Sequence, residues 1–170
     1  MGEIIFITGG ARSGKTAFAL GRAMEHTSPR LYVATAEALD AEMHERIEAH
    51  KMERREMGFD TLEEPLDIAG LLNGTGPRYG AVLLDCLTLW LSNLMAKGLD
   101  PDREGHRLID AVKGLGLPVY VVTNEVGLGI VPDNELARVF RDNAGRLNAM
   151  VAAEAREAWL MVSGLPVKIK

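Results

Sequence analysis

Ile4-Ile5-Phe6-Ile7-Thr8-Gly9-Gly10-Ala11-Arg12-Ser13-Gly14-Lys15-Thr16 decides how the rest of the chain is read. Residues 4–7 form an unbroken apolar run, the mark of a strand buried on both faces. The run breaks into Gly9-x-x-x-x-Gly14-Lys15-Thr16, and a helical pattern over residues 16–26 follows at once. Strand, glycine-rich turn and helix in that order are the setting a phosphate-binding loop requires. The glycines let the backbone curl so that its N–H groups face phosphate oxygens, and the helix N-terminus adds a field that favours anions. Lys15 supplies a point charge, and the Thr16 hydroxyl can join a magnesium shell. Gly9, Gly10, Ala11, Arg12, Ser13, Gly14, Lys15 and Thr16 are therefore candidate binding residues for ATP or GTP. A glycine-rich turn carrying Lys-Thr by chance has no reason to sit between a strand and a helix.

Outward from this loop, short apolar runs alternate with stretches of helical period. Residues 31–34, 81–85 and 119–123 read as further strands. Helices are expected over residues 40–56, behind residue 87 (stripe Leu87, Trp90, Leu91, Leu94) and over 134–156 (stripe Leu136, Phe140, Ala144, Leu147, Val151). Pro132 and Asp133 mark the start of the last of these. Residues 159–162 and 167–169 predict a closing hairpin around Gly164-Leu165-Pro166, while 73–80 and 98–105 read as loops too short to link domains. Doubly buried strands joined through helices predict an α/β fold, a P-loop NTPase of the RecA-like kind. Its sheet is mostly parallel with helices on both faces and a C-terminal β-hairpin, in one domain over residues 1–170.

Composition narrows the function. A net charge of −5 argues against a nucleic-acid surface, which rests on clustered Lys and Arg. Cys86 is the only cysteine, so no internal disulfide forms and a reducing compartment is the simplest setting. The N-terminus carries no secretory signal pattern, and the most apolar window, residues 81–96, is interrupted by Asp85, Ser92 and Asn93 and too short for a bilayer. A soluble, cytoplasmic protein is expected.

Asp85 ends an apolar strand, where the second carboxylate of a P-loop protein holds magnesium; the plainer reading is a cap for the helix behind it. Cys86 beside it reads as a packing residue. In the helix over 40–56, Met43, Ile47, His50 and Arg54 share a face, with Arg46 and Arg54 a turn to either side of His50. Flanking guanidinium groups favour a neutral imidazole, and such a ring can attack phosphorus to give a phosphoramidate. A histidine among charges on a surface helix is otherwise simply solvated, as are His26, His44 and His106. Residues 123–132 leave the fourth strand at the edge that lines the crevice of open α/β sheets. Arg138, Arg141, Gly145 and Asn148 recur on one face of the last helix, and mid-helix Gly145 points to close approach of a ligand or another subunit.

The chain resembles the bifunctional adenosylcobinamide kinase / adenosylcobinamide-phosphate guanylyltransferase family. Beyond the phosphate loop, the likeness runs through Tyr32-Val33-Ala34-Thr35, Arg46-Ile47 with His50, Leu84-Asp85-Cys86-Leu87-Thr88 and Thr123-Asn124-Glu125-Val126-Gly127. It continues in Ile130-Val131-Pro132, Phe140-Arg141-Asp142 with Gly145 and Asn148, and Val162-Ser163-Gly164. Phe59 stands where many relatives carry Trp, Ala149 where many carry Gln, and residues 98–105 are short beside some members.

The resemblance implies phosphorylation of adenosylcobinamide from ATP or GTP, then transfer of GMP from GTP with release of pyrophosphate. It implies His50 as the GMP carrier and nucleotide contacts at Thr35, Ala36, Glu37, Lys51, Met52, Glu53, Arg54, Glu63 and Asp85. The phosphate-loop reading places Mg2+ at Thr16 and Asp85, and the resemblance implies a homotrimer, which the apolar helix at Leu87–Leu94 suits. Two rival readings remain at this point. A monofunctional small-molecule kinase explains the loop and Asp85 but leaves His50 without a task. A GTPase-like switch module needs an Asn-Lys-x-Asp guanine reader, and here that strand ends in Thr123-Asn124-Glu125-Val126.

Overall fold

The computed structural model describes residues 1–37, 41–75 and 78–170, and within the second helix the side chains of residue 48 and residues 50–56. In chain order the elements are β1 (Glu3–Gly9), α1 (Lys15–Ala23), β2 (Arg30–Ala34), α2 (Ala41–Glu56), β3 (Phe59–Glu63) and α3 (Ile68–Gly74). There follow β4 (Val82–Asp85), α4 (Leu87–Ala96), α5 (Pro101–Leu115), β5 (Pro118–Val122), α6 (Glu135–Glu154), β6 (Glu157–Val162) and β7 (Leu165–Lys168). The strands form one seven-stranded sheet in the order β3-β2-β4-β5-β1-β6-β7. Every pairing is parallel except β6 with β7, the closing hairpin.

Successive side chains of a strand face opposite ways, so each central strand feeds two cores. Ile4, Phe6, Leu31, Val33, Val82, Leu84, Val119 and Val121 pack with residues of α3, α4, α5 and α6. Ile5, Ile7, Tyr32, Leu83, Tyr120 and Val122 pack with Ala19 and Ala23 of α1 on the other face. This double burial is the reason the strands appear as continuous apolar runs. The parallel strands end at one edge, and the loops that follow β1, β2, β4 and β5 gather there.

Three elements escape the apolar pattern. β3 is an edge strand whose residues alternate Phe59-Asp60-Thr61-Leu62-Glu63, with only Phe59 buried, so no apolar run betrays it. α3 is short and is capped by Asp67, whose carboxylate accepts from the Gly70 N–H. Residues 98–105 are not a loop throughout: Asp100 caps α5 with Pro101 in its first turn, and Leu108, Ile109 and Val112 form the buried stripe. That cap and stripe are legible signals that the glycines at 98 and 105 obscure. Likewise α3 takes up the start of the expected 73–80 loop, and residues 76 and 77 lie outside the described residues. The start of α6 is set by Asn134, which accepts from the Ala137 N–H, rather than by Pro132 and Asp133.

The apolar stripe of α4 corrects a further expectation. Leu87, Trp90, Leu91 and Leu94 are all buried within the chain's own core, and the Trp90 indole donates to the Leu66 carbonyl at 2.8 Å. The stripe is therefore spent on this chain's folding and is not free to face a second subunit. Of the α6 stripe, Ala144, Leu147 and Val151 are buried, whereas Leu136 is 73% exposed.

Candidate active site

The glycine-rich loop sits where β1 meets α1. Gly14 precedes the helix in the left-handed region, φ 91°, which glycine enters without a Cβ penalty. Gly9 is needed for space: a Cβ there would lie 2.5 Å from the Met161 carbonyl oxygen of β6. The turn of the closing hairpin braces the loop, with the Gly164 N–H donating to the Ser13 carbonyl at 3.1 Å. Lys15 is buried, and its Nζ donates to the Gly10 carbonyl at 2.5 Å and to Ser13 Oγ at 3.4 Å. Burial lowers its ammonium below the usual lysine range, opposed by neighbouring Cys86 and Asp85. A cation held among loop oxygens is placed to exchange them for the oxygens of a phosphate chain. Ala11 and Arg12 are exposed at the tip.

Asp85 at the end of β4 meets the first residues of α1. Its Oδ2 accepts from Thr16 Oγ1 and from the Tyr32 hydroxyl, each at 2.8 Å. It caps no helix: Cys86 is the residue that precedes α4, and it makes no side-chain cap. Cys86 is buried, and that burial pushes its thiol up, which suits a packing role. Burial, then the Asp85 charge, pushes the Tyr32 phenol far above its ordinary range, so it remains a donor to the carboxylate. The Arg54 guanidinium lies 4.0 Å from the Tyr32 ring centroid, and its Nε donates to Thr61 Oγ1 at 3.2 Å.

Tyr32, Ala34, Ala36, His50, Arg54, Asp85 and Leu89 line one cleft of about 180 Å³. The fold thus brings α2's histidine and β4's carboxylate, 35 residues apart in sequence, to a common space. His50 itself is half exposed, and its Nδ1 lies 3.3 Å from Glu53 Oε2. Of the two guanidinium groups expected beside it, that of Arg54 lines the same cleft. Arg54 is drawn to the face of Tyr32 and to Thr61, and the side chain of Arg46, like those of Met43, His44 and Ile47, lies outside the described residues.

The other expected contacts divide. Lys51 and Met52 line a separate hollow with Asp60, Thr61, Arg78 and Tyr79. There Lys51 pairs with Glu48 and with Glu63 of β3, and these hydrogen bonds, Glu48 first, raise its ammonium. Thr35 is fully buried, and its hydroxyl accepts from the Cys86 N–H at 2.8 Å and donates to the Cys86 carbonyl at 2.9 Å. It holds the tips of β2 and β4 in register and does not present its hydroxyl to the crevice. Glu37 is exposed just beyond it.

On α6, Arg138, Arg141 and Gly145 line a broad hollow with Gly127, Val131, Asp142 and Arg146. Among the described residues, no atom outside the helix lies within 4 Å of the place a Gly145 Cβ would take. His26 bonds the Tyr120 hydroxyl at 2.8 Å and is structural. Sequence reading overlooked Tyr32 as a polar partner of the site; a tyrosine inside an apolar run that needs a partner for its hydroxyl was the available signal.

Residues 5–169 match the family described as cobinamide kinase / cobinamide phosphate guanyltransferase. The bifunctional adenosylcobalamin biosynthesis protein CobU of Escherichia coli (strain K12) is 42% identical, covering 98% of this chain and 99% of that one. CobU of Salmonella typhimurium is 43% identical with 98% and 99% covered, and CobP of Pseudomonas aeruginosa 41% with 96% and 95%. Among solved structures, a KaiC-like protein from Pyrococcus horikoshii OT3 superposes with a TM-score of 0.51 at 14% identity, covering 93% of this chain and 70% of that one. That likeness shows the shared α/β P-loop fold.

Proposed function

The chain belongs to the cobinamide kinase / cobinamide phosphate guanyltransferase family, and from that premise we propose that one crevice at the sheet edge serves both reactions. The enzyme phosphorylates adenosylcobinamide from ATP or GTP, and it transfers GMP from GTP to the resulting phosphate, yielding adenosylcobinamide-GDP and pyrophosphate in cobalamin biosynthesis. The observation that supports a single crevice is the cleft in which His50 and Asp85 stand together beside the phosphate loop.

In the first reaction the loop amides, Arg12 and Lys15 bind the triphosphate, and the fixed positive charge stabilises the phosphoryl group as its charge spreads. In the second, a nitrogen of His50 attacks the α-phosphorus of GTP, the bond to the pyrophosphate oxygen breaks, and pyrophosphate leaves with its electron pair. The acceptor's phosphate oxygen then takes the GMP from the ring. Ala36, Glu37, Glu53 and Arg54 border the nucleotide. Thr35 acts by holding the strand tips, and Lys51 and Met52 belong to the neighbouring hollow, with Glu63 paired to Lys51.

Thr16 Oγ1 and Asp85 Oδ2, 2.8 Å apart, are hard oxygen donors few in number, which fits Mg2+, an ion that completes its shell with water and phosphate oxygens. Thr16 and Asp85 would hold the ion, which would supply charge neutralisation to the bound triphosphate. Tyr32 fixes the carboxylate that would hold it. Tyr32→Phe removes one donor and keeps the ring under Arg54, so the Mg2+ affinity read from kinase titrations is expected to fall about 10- to 100-fold. An unchanged Mg2+ titration would show that the phenol is dispensable.

A homotrimer is part of the same proposal. Leu128, Ile130, Val131 and Leu136, all strongly exposed, offer it apolar surface in place of α4. Mass spectrometry of the intact protein after mixing with GTP and Mg2+ tests the central reading. One added GMP is expected, and adenosylcobinamide should then be converted to its GDP derivative. A monofunctional kinase would give the phosphate and no protein-bound GMP, and a switch module would hydrolyse GTP and ignore the corrinoid.

A further inference from the structure

We propose that Glu125 is the proton acceptor for the alcohol in the kinase reaction, a role that rests on the functional reading above. β5 lies between β1 and β4 in the sheet, and Val122 at its end is in register with both Ile7 and Asp85. The residues beyond Val122 therefore leave the sheet between the phosphate loop and the Asp85 carboxylate. Glu125 is tied to that loop directly, its N–H donating to the Gly9 carbonyl at 3.0 Å.

The strand exit is fixed on every side. Thr88 Oγ1 accepts from the Asn124 N–H at 2.7 Å, and the Asn148 amide donates to the Asn124 carbonyl at 3.3 Å. Thr123 donates to Asn148 Oδ1 at 2.8 Å and lies 3.2 Å from Thr88 Oγ1. This places α4 and α6 on either side of Asn124 and accounts for Asn148, which serves the crevice through this backbone. A base built on so constrained a segment keeps its position, as efficient proton transfer demands.

Glu125 has one oxygen engaged and one available. Oε1 accepts from the Gly127 N–H at 2.8 Å, and Oε2 takes no hydrogen bond among the described residues. Among the described residues, the other carboxylates expected at the site are engaged elsewhere or leave the sheet farther from the loop strand. Asp85 takes two hydrogen bonds on Oδ2, Glu53 neighbours His50, and Glu63 pairs with Lys51. Glu37 follows β2, which β4 and β5 separate from the loop strand.

In the step assigned to it, the alcohol proton passes to Glu125 Oε2 as the alcohol oxygen bonds to the γ-phosphorus. The bond from that phosphorus to the bridging oxygen breaks, and its electron pair leaves on the nucleoside diphosphate. The carboxylic acid then returns its proton to water. GMP transfer needs no such base, because the acceptor there is already an ionised phosphate.

Glu125→Gln tests this, since the amide oxygen can still accept from Gly127 while the basic oxygen is gone. Phosphorylation of adenosylcobinamide is expected to fall about 10²- to 10⁴-fold, the range general-base catalysis covers. GMP loading of the protein and its transfer to supplied adenosylcobinamide phosphate are expected to persist, which also certifies the fold. Retained kinase turnover overturns the proposal, and so does parallel loss of GMP loading, which would make Glu125 a support for the loop. Failure of the underlying reading appears in the unsubstituted chain, which would form no corrinoid phosphate at all, and this too removes the proposal.

Discussion

Lys15→Ala is expected to depress both phosphorylation of adenosylcobinamide and GMP loading by about 10²- to 10³-fold, the scale of removing one preorganised charge from a transition state. The side chain is 7% exposed, and its ammonium already lies against the Gly10 carbonyl and the Ser13 hydroxyl at the centre of the loop. Among the described residues no other lysine or arginine shares those contacts, so water must take its place. Both reactions are expected to suffer, because the proposed function has both start from a triphosphate seated in the same loop. Arginine is not expected to rescue either, since a planar fork does not fit a buried point-charge position. Steady-state assays of each reaction with Lys15→Ala and Lys15→Arg check this. Selective loss of one activity would mean that two separate triphosphate sites exist.

His50→Ala should separate the reactions. The protein is expected to carry no GMP, and transfer to adenosylcobinamide phosphate should drop by on the order of 10⁶-fold, the scale of losing a covalent nucleophile. Kinase turnover should survive, because the role proposed for the imidazole is confined to GMP transfer. The ring is half exposed and its partner is the equally exposed Glu53, so its removal leaves no buried polar group unsatisfied. With α-labelled GTP, the unsubstituted protein should hold label that is acid-labile and base-stable, as a phosphoramidate is. Label persisting in His50→Ala would move the nucleophile elsewhere.

Several elements were legible because their signals are local. The loop, the strands feeding two cores, the closing hairpin and the length of α6 each follow from runs of a few residues whose period matches their burial. β3 was not legible, since an edge strand with one buried residue has no apolar run to show. α5 was hidden by Gly98 before it and Gly105 within it, although Asp100-Pro101 announces its start. The α4 stripe was legible as apolar, but nothing in its pattern says whether its own chain or another covers it. Burial by the same chain settles that for Leu87, Trp90, Leu91 and Leu94.

By itself the sequence determined the chemistry available: a triphosphate-binding turn, a carboxylate closing a strand, and a histidine on a polar helix. Each depends on residue type and short-range spacing, which the chain carries in one dimension. Which of these groups meet was decided only by the tertiary structure. Placing β5 between β1 and β4 brings Thr16, Asp85 and Glu125 to one edge, and packing α2 against β3 carries Arg54 onto Tyr32 and His50 to the same cleft. Strand order arises from crossovers that bury both faces of the sheet at once, a global condition that no short stretch of residues encodes.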